Sequence, residues 1–287
     1  MPSLANLMNV VLVYGTSAEQ REGPRYRQPS DTLRFGDHPL QALDLHLHPE
    51  GGTRPLLAFL HGGAWQFGDK TRRLTDAKVP FAHGEGWHFA SLNFRQVPQV
   101  GVAEMARDAA AGVAALFQEA GSYGIESRRI VLMGHSSGAH LAALVASDPA
   151  LLGAHGLSPA RLAGVIANDG AAYLASEPST GSRFLQRRLL DPAFAGADLA
   201  ALSPTVHLGA HAGTAPPFLV IHNASRHTRA QALLLAEAVE CNRGDVERHE
   251  FPGTGIVDHM RISRHFGRKG FGPTEVARAW LRQRLPA

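Results

Sequence analysis

The sequence predicts an α/β fold: a mostly parallel twisted sheet with helices on both faces and a short cap insertion. Three observations carry this reading. Residues 32–35 and 41–48 alternate apolar and polar side chains, as half-buried antiparallel strands do. Continuously apolar runs then alternate with helical segments, the pattern of βα units whose strands are covered on both faces. One long stretch, residues 171–215, interrupts that alternation.

In chain order, residues 1–30 have weak periodicity and a polar, proline-containing patch, and read as an N-terminal arm. Pro49-Glu50-Gly51-Gly52 punctuates as a turn after the two alternating strands. Leu56-Leu57-Ala58-Phe59-Leu60 is the first strand expected to be buried on both faces, followed by strands at 88–94, 129–133, 162–167, 217–222 and 246–251. Helical spacing covers 102–119, 139–147, 228–239 and 274–285. Residues 171–215 are rich in Ala, Ser, Gly and Pro and lie between two strands, so they are expected to cover the sheet edge. The expectation is one domain, residues 1–287, with 171–215 as its cap-like insertion.

Composition narrows the class. The 287 residues are 44% hydrophobic and 18% charged, with no collagen period, heptads or disorder-like charge excess. The lone cysteine, Cys241, excludes an intramolecular disulfide and suits a cytoplasmic setting. No apolar run approaches the roughly 18 residues that span a membrane. Met1-Pro2-Ser3-Leu4-Ala5-Asn6 carries no basic residue, and no cleavage-site pattern follows Val10-Val11-Leu12-Val13, so no secretory signal is expected. The net charge is only +3. Arg261, Arg264, Arg268, Lys269, Arg278, Arg282 and Arg284 lack aromatic interleaving, so they read as a solvated helical face rather than a nucleic-acid surface. Neither a nucleic-acid nor a membrane partner is expected, and a homodimer is left open.

Chemistry concentrates in two motifs. Gly134-His135-Ser136-Ser137-Gly138 lies between an apolar strand and a small-residue helix. A serine on such a tight strand-to-helix turn projects its hydroxyl above the sheet, and glycines on both sides let the backbone bend. Ser136 is therefore the candidate nucleophile and the Ser137 N–H a candidate oxyanion donor, with the helix's positive end behind them. His61-Gly62-Gly63-Ala64-Trp65 follows the first buried strand. Paired glycines there free successive N–H groups to face a cavity, and Gly63 and Ala64 are the donors expected to complete an oxyanion hole. His61 is expected to hold this loop by hydrogen bonds.

These motifs, extended by Ala139-His140 and a late histidine, resemble the α/β-hydrolase superfamily. Within it the chain is similar to microbial esterases related to hormone-sensitive lipase and to kynurenine formamidase. The similarity runs from about residue 40 to the C-terminus and includes Asn93-Phe94-Arg95, Ala201-Leu202-Ser203-Pro204 and Pro216-Pro217-Phe218-Leu219-Val220-Ile221-His222. The resemblance implies the chain order nucleophile, acid, histidine. It places the base after the last strand, where His259 is preferred to His265, in what reads as a loop.

The acid departs from the family pattern. Its usual slot, after the strand ending at His222, holds Asn223-Ala224-Ser225-Arg226, with no carboxylate. Asp169, at the end of the preceding strand, is the named alternative. Asp258 beside the base, or a Ser136–His259 dyad oriented by Ser225, are the others. No metal is expected: His46 and His48 share a strand face but lack a third ligand. No glycine-rich phosphate cradle occurs, so no cofactor is expected. Trp65, Phe67, Trp87 and Tyr173 are candidate pocket walls, with core packing an equal reading for Trp87. The function expected is a serine carboxylesterase for small or aryl esters. An arylformamidase-like amidase and a binding protein that has lost turnover are the rivals.

Overall fold

The computed structural model describes residues 28–286 apart from 72–76, 181–185 and 212. Most of the expected N-terminal arm, residues 1–27, lies outside the described residues. Eight strands form one sheet: β1 (Asp31–Arg34), β2 (Ala42–His46), β3 (Arg54–Leu60), β4 (His88–Leu92), β5 (Ile125–His135), β6 (Gly164–Asn168), β7 (Phe218–Asn223) and β8 (Val246–Phe251). Their spatial order is β1-β2-β4-β3-β5-β6-β7-β8. β1 and β2 pair antiparallel, as does β2 with β4, and every other neighbouring pair is parallel.

The helices are α1 (Lys78–Gly84), α2 (Val102–Gln118), α3 (Ser137–Ser147), α4 (Pro149–Gly153), α5 (Asp191–Phe194), α6 (Pro204–Ala210), α7 (Arg226–Cys241), α8 (Gly255–His265) and α9 (Gly272–Arg284). A π-turn at Gln186–Leu190 and α5 and α6 lie within the 171–215 insertion. α1, α4, α5 and α6 are not foreseen from the sequence, and residues 255–265 form a helix where a loop is expected. α1 and α8 gain their stability from burial: Val79, Phe81 and Ala82 of α1 and Ile262 of α8 join one core cluster. Tertiary packing of this kind routinely overrides weak local signals.

Continuous apolar strands are explained by the two cores. Leu56, Ala58 and Leu60 of β3 face a cluster with α2, α3 and α7. Leu57 and Phe59 face the opposite one, with α1, α8 and α9. The two-residue period of a strand thus supplies both faces from one run.

Parallel register sets the site. In the β5–β6 ladder His135 is the partner of Asn168, so the next residues, Ser136 and Asp169, leave the same edge of the sheet side by side. Ser136 N–H then donates to Asn168 O at 3.1 Å and Asp169 N–H to Ile221 O at 2.6 Å. Close approach around this edge demands glycine. A Cβ on Gly138 would lie 2.2 Å from Leu60 O and 2.5 Å from His61 O, both backbone atoms that have no room to yield.

Gly138→Ala should therefore destabilise the fold by about 3 kcal/mol, an overpacking cost. Gly153→Ala, where nothing lies within 4 Å, should stay within about 0.5 kcal/mol of the parent. Denaturant midpoints of the two variants check the contrast.

Candidate active site

Ser136 adopts φ 55° and ψ −121° between β5 and α3, a left-handed backbone that a non-glycine residue holds only under constraint. The constraint is visible: the Ser136 carbonyl accepts from Ala139 N at 3.0 Å and His140 N at 3.2 Å, closing the first turn of α3. Ser137 N–H belongs to that first turn, where a helix leaves its amides without internal partners. The flanking glycines are needed because a Cβ on Gly134 would lie 2.0 Å from Gly138 O.

The His61–Trp65 loop meets the same spot. Gly63, Ala64 and Trp65 have successive positive φ values of 150°, 52° and 61°. Strain of this order persists only where the surroundings impose it. A Cβ on Gly63 would lie 1.8 Å from Phe67 O, and one on Gly62 would lie 3.0 Å from Ser136 Cβ, so loop and serine are in contact. The loop is held from below. The His61 ring stacks on Phe94 at 4.5 Å, and its nitrogens face Gly62 O at 3.1 Å and Asn93 Oδ1 at 3.2 Å. Asn93 also accepts from Lys70 N at 2.6 Å and donates to Asp69 at 2.8 Å.

His259 lies in the second turn of α8, and its Nδ1 donates to Asp169 Oδ2 at 2.7 Å. Asp169 is fully buried; Asn223 also reaches it, through N–H to Oδ1 at 2.8 Å and Nδ2 to Oδ2 at 2.9 Å. The other carboxylate and hydroxyl considered go elsewhere. Asp258 accepts from Thr254 N at 2.8 Å, and Ser225 Oγ bonds Thr228 Oγ1 at 2.6 Å. His265 ends α8 with its ring edge-on to Phe271. With Nδ1 engaged by Asp169, Nε2 of His259 is the ring nitrogen outside that bond. Among the described residues no hydrogen bond joins Ser136 Oγ to that ring; such contacts commonly tighten once substrate is bound.

Two further histidines bind the parts together, and neither was assigned a role from sequence. His135 Nε2 donates to the His259 carbonyl at 3.0 Å. His140 Nε2 donates to Leu202 O at 2.8 Å and Nδ1 accepts from Trp65 Nε1 at 3.3 Å, joining α3, the insertion and the His61–Trp65 loop. Burial pushes the His140 pKa down to about 4.

Of the expected pocket walls, Trp87 is placed elsewhere. It packs in the cluster on the α1, α8 and α9 side and donates to Leu285 O, because alternation along β4 and its approach turns it to that face. Trp65 packs edge-on against Phe194 at 4.9 Å. Phe194 lines a cavity of about 310 Å³ within the insertion, with Ala172, Ala175, Glu177, Gln186 and Leu199 among its other walls. Among the described residues no cluster of three His, Cys, Asp or Glu could hold a metal ion, and no helix is long and apolar enough to cross a membrane.

A family model, BD-FAE, matches residues 43–228, most of the sheet and both motifs. The chain belongs to the BD-FAE family. Solved structures share its α/β-hydrolase fold. Esterase B from Lactobacillus rhamnosis (HN001) superposes with a TM-score of 0.71 at 20% identity, covering 98% of this chain and 94% of that one. Esterase 2 of Thermogutta terrifontis, phosphonylated by sarin, gives a TM-score of 0.72 at 20% identity over 91% of this chain and 98% of that one. Among curated relatives, a probable isoprenylcysteine alpha-carbonyl methylesterase of Arabidopsis thaliana is 34% identical over 119 residues, 39% of this chain. Lipase 2 of a Moraxella species (strain TA144) is 35% identical over 96 residues, 32% of this chain. The matched segments span 23% and 21% of those relatives' lengths.

The buried, neutral His140 predicts a pH dependence of stability. Its folded pKa, about 4, lies below the ordinary 6.5, so its contribution is complete above pH 6.5. As pH falls from 6.5 toward 4, the unfolded chain binds a proton that the folded site refuses, and stability declines by about 3 kcal/mol from this group. Denaturant unfolding at pH 7 and pH 4 should show a smaller loss in His140→Gln than in the parent; parallel losses would exclude the assignment.

Proposed function

We propose that the protein is a serine carboxylesterase that hydrolyses small or aryl carboxylic esters through an acyl-enzyme. The observation that carries this reading is the Asp169–His259 hydrogen bond, formed at the sheet edge that also carries the strained Ser136. Ser136 Oγ attacks the ester carbonyl while His259 Nε2 takes its proton, and Asp169 stabilises the imidazolium that results. The N–H groups of Ser137, Gly63 and Ala64 hold the oxyanion; removal of one such donor costs about 2.7–4 kcal/mol in the transition state. The imidazolium then gives its proton to the departing alcohol. Water, activated by the same histidine, attacks the acyl carbonyl, frees the acid and returns the proton to Ser136. No cofactor enters these steps.

The names of two relatives, a probable methylesterase and a lipase, support an ester over an amide substrate. The missing carboxylate after β7 favours a turnover-deficient binder; the buried Asp169, as acceptor for the His259 ring nitrogen, supports the enzyme reading instead.

Pre-steady-state release of p-nitrophenol from its acetate and butyrate esters tests the proposal. A burst in the parent that disappears in Ser136→Ala is expected. Release equal in parent and variant would overturn it, and hydrolysis of N-formylkynurenine far faster than of aryl acetates would transfer the mechanism to an amide. The short insertion between β6 and β7 also predicts short esters over long-chain triglycerides; the reverse preference, measured side by side, would reject that substrate class.

A further inference from the structure

We infer that His135 is a positioning residue for His259, holding the base by its main chain while Asp169 holds it by its ring. The inference rests on the ester-hydrolase reading but draws on different contacts. His135 closes β5 and immediately precedes Ser136; it is 1% exposed. Its Nε2 lies 3.0 Å from the His259 carbonyl oxygen. A carbonyl only accepts, so Nε2 carries the hydrogen. The two rings also pack together, with centroids 4.7 Å apart and planes inclined at 34°.

On its other side the same imidazole meets the oxyanion loop. A Cβ on Gly62 would lie 2.9 Å from His135 Nδ1 and 3.0 Å from its carbonyl oxygen. His135 therefore touches the loop and the base and is covalently joined to the nucleophile. Burial first, then the neighbouring His259 and Lys78, hold its pKa well below the ordinary value. The ring stays neutral and places no positive charge beside the imidazolium that develops on His259.

A second clamp on the same helix is consistent with this division of labour. α8 is a surface helix, and Asp169 grips only the ring of His259. Lys78 Nζ donates to Ser263 O at 2.6 Å, one turn beyond the His259 carbonyl. Both contacts act on main-chain carbonyls of α8: His135 ties the helix to β5, the strand that delivers Ser136, and Lys78 ties it to α1.

The test compares His135→Phe, which keeps an aromatic ring but no donor, with His135→Gln, whose amide can donate where Nε2 stands. His135→Asn, too short to reach, replaces the Phe variant if that protein does not fold. Three quantities are read: kcat and KM for p-nitrophenyl butyrate, and the low-field proton signal of His259 Nδ1–H, assigned by its loss in Asp169→Asn. Phe or Asn should lower kcat by about tenfold or more, as small misplacements of a catalytic group do, with KM little changed. The low-field signal should broaden or vanish. Gln should restore kcat and the signal toward the parent.

A folded Phe variant with parental kcat and signal would overturn the inference, as would a Gln variant no better than Phe. If the parent shows no Ser136-dependent turnover, the esterase reading fails. The proton signal in the three variants then decides the positioning role alone.

Discussion

Asp169 has no access to solvent, and a carboxylate is costly to bury there unless hydrogen-bond donors meet it. Its donors come from two directions: Asn223, ending β7, supplies its backbone and side-chain N–H groups, and His259 of α8 supplies Nδ1. These bonds tie the ends of β6 and β7 to the helix that follows β8. Because Asn168 pairs with His135, the same carboxylate is delivered beside Ser136. The orientation of the His259 ring and the nitrogen that carries its hydrogen depend on this one buried group.

The oxyanion loop obeys a different constraint, close approach of backbones. Gly134, Gly138 and Gly63 each stand where a Cβ would fall within 2.2 Å of a backbone oxygen. Successive positive φ values at Gly63, Ala64 and Trp65 turn the loop toward the serine, while Asn93, His61 and Phe94 hold its base. The polar contacts around the site are mostly side chain to main chain. They fix backbone positions, and with them the N–H groups proposed to hold the oxyanion.

Strands were legible because burial on both faces leaves a continuous apolar run, and because alternate residues of β3 feed two separate cores. The two glycine motifs were legible because their strand and helix neighbours could be read beside them. α1 was not, since Lys78 and Pro80 mask a helix whose stability comes from Phe59, Phe266 and the Ser263 carbonyl. α8 was read as a loop because Gly253-Thr254-Gly255-Ile256-Val257 favours one locally, while Ile262 and the following Phe266 bury it as a helix. The partner of His259 was open among three candidates, since a contact 90 residues apart depends on strand register rather than on local pattern. Asn223 and His135 carried no signal of their own. Asn223 could have been found as the polar end of β7 beside a slot with no acid, and His135 only through the tertiary contact it makes.

The central claim is that Asp169, from the end of β6, performs the orienting role for a base acting on Ser136. The direct measurement is the second-order rate of inactivation by a p-nitrophenyl phosphonate in the parent and in Asp169→Asn, with the adduct located by peptide mass spectrometry. The account predicts an adduct on Ser136 and a rate lower by about 10³-fold or more in the variant, near the 10⁴-fold loss of turnover known for a protease with the corresponding change. Equal rates in the two proteins, or an adduct on another residue, would contradict it.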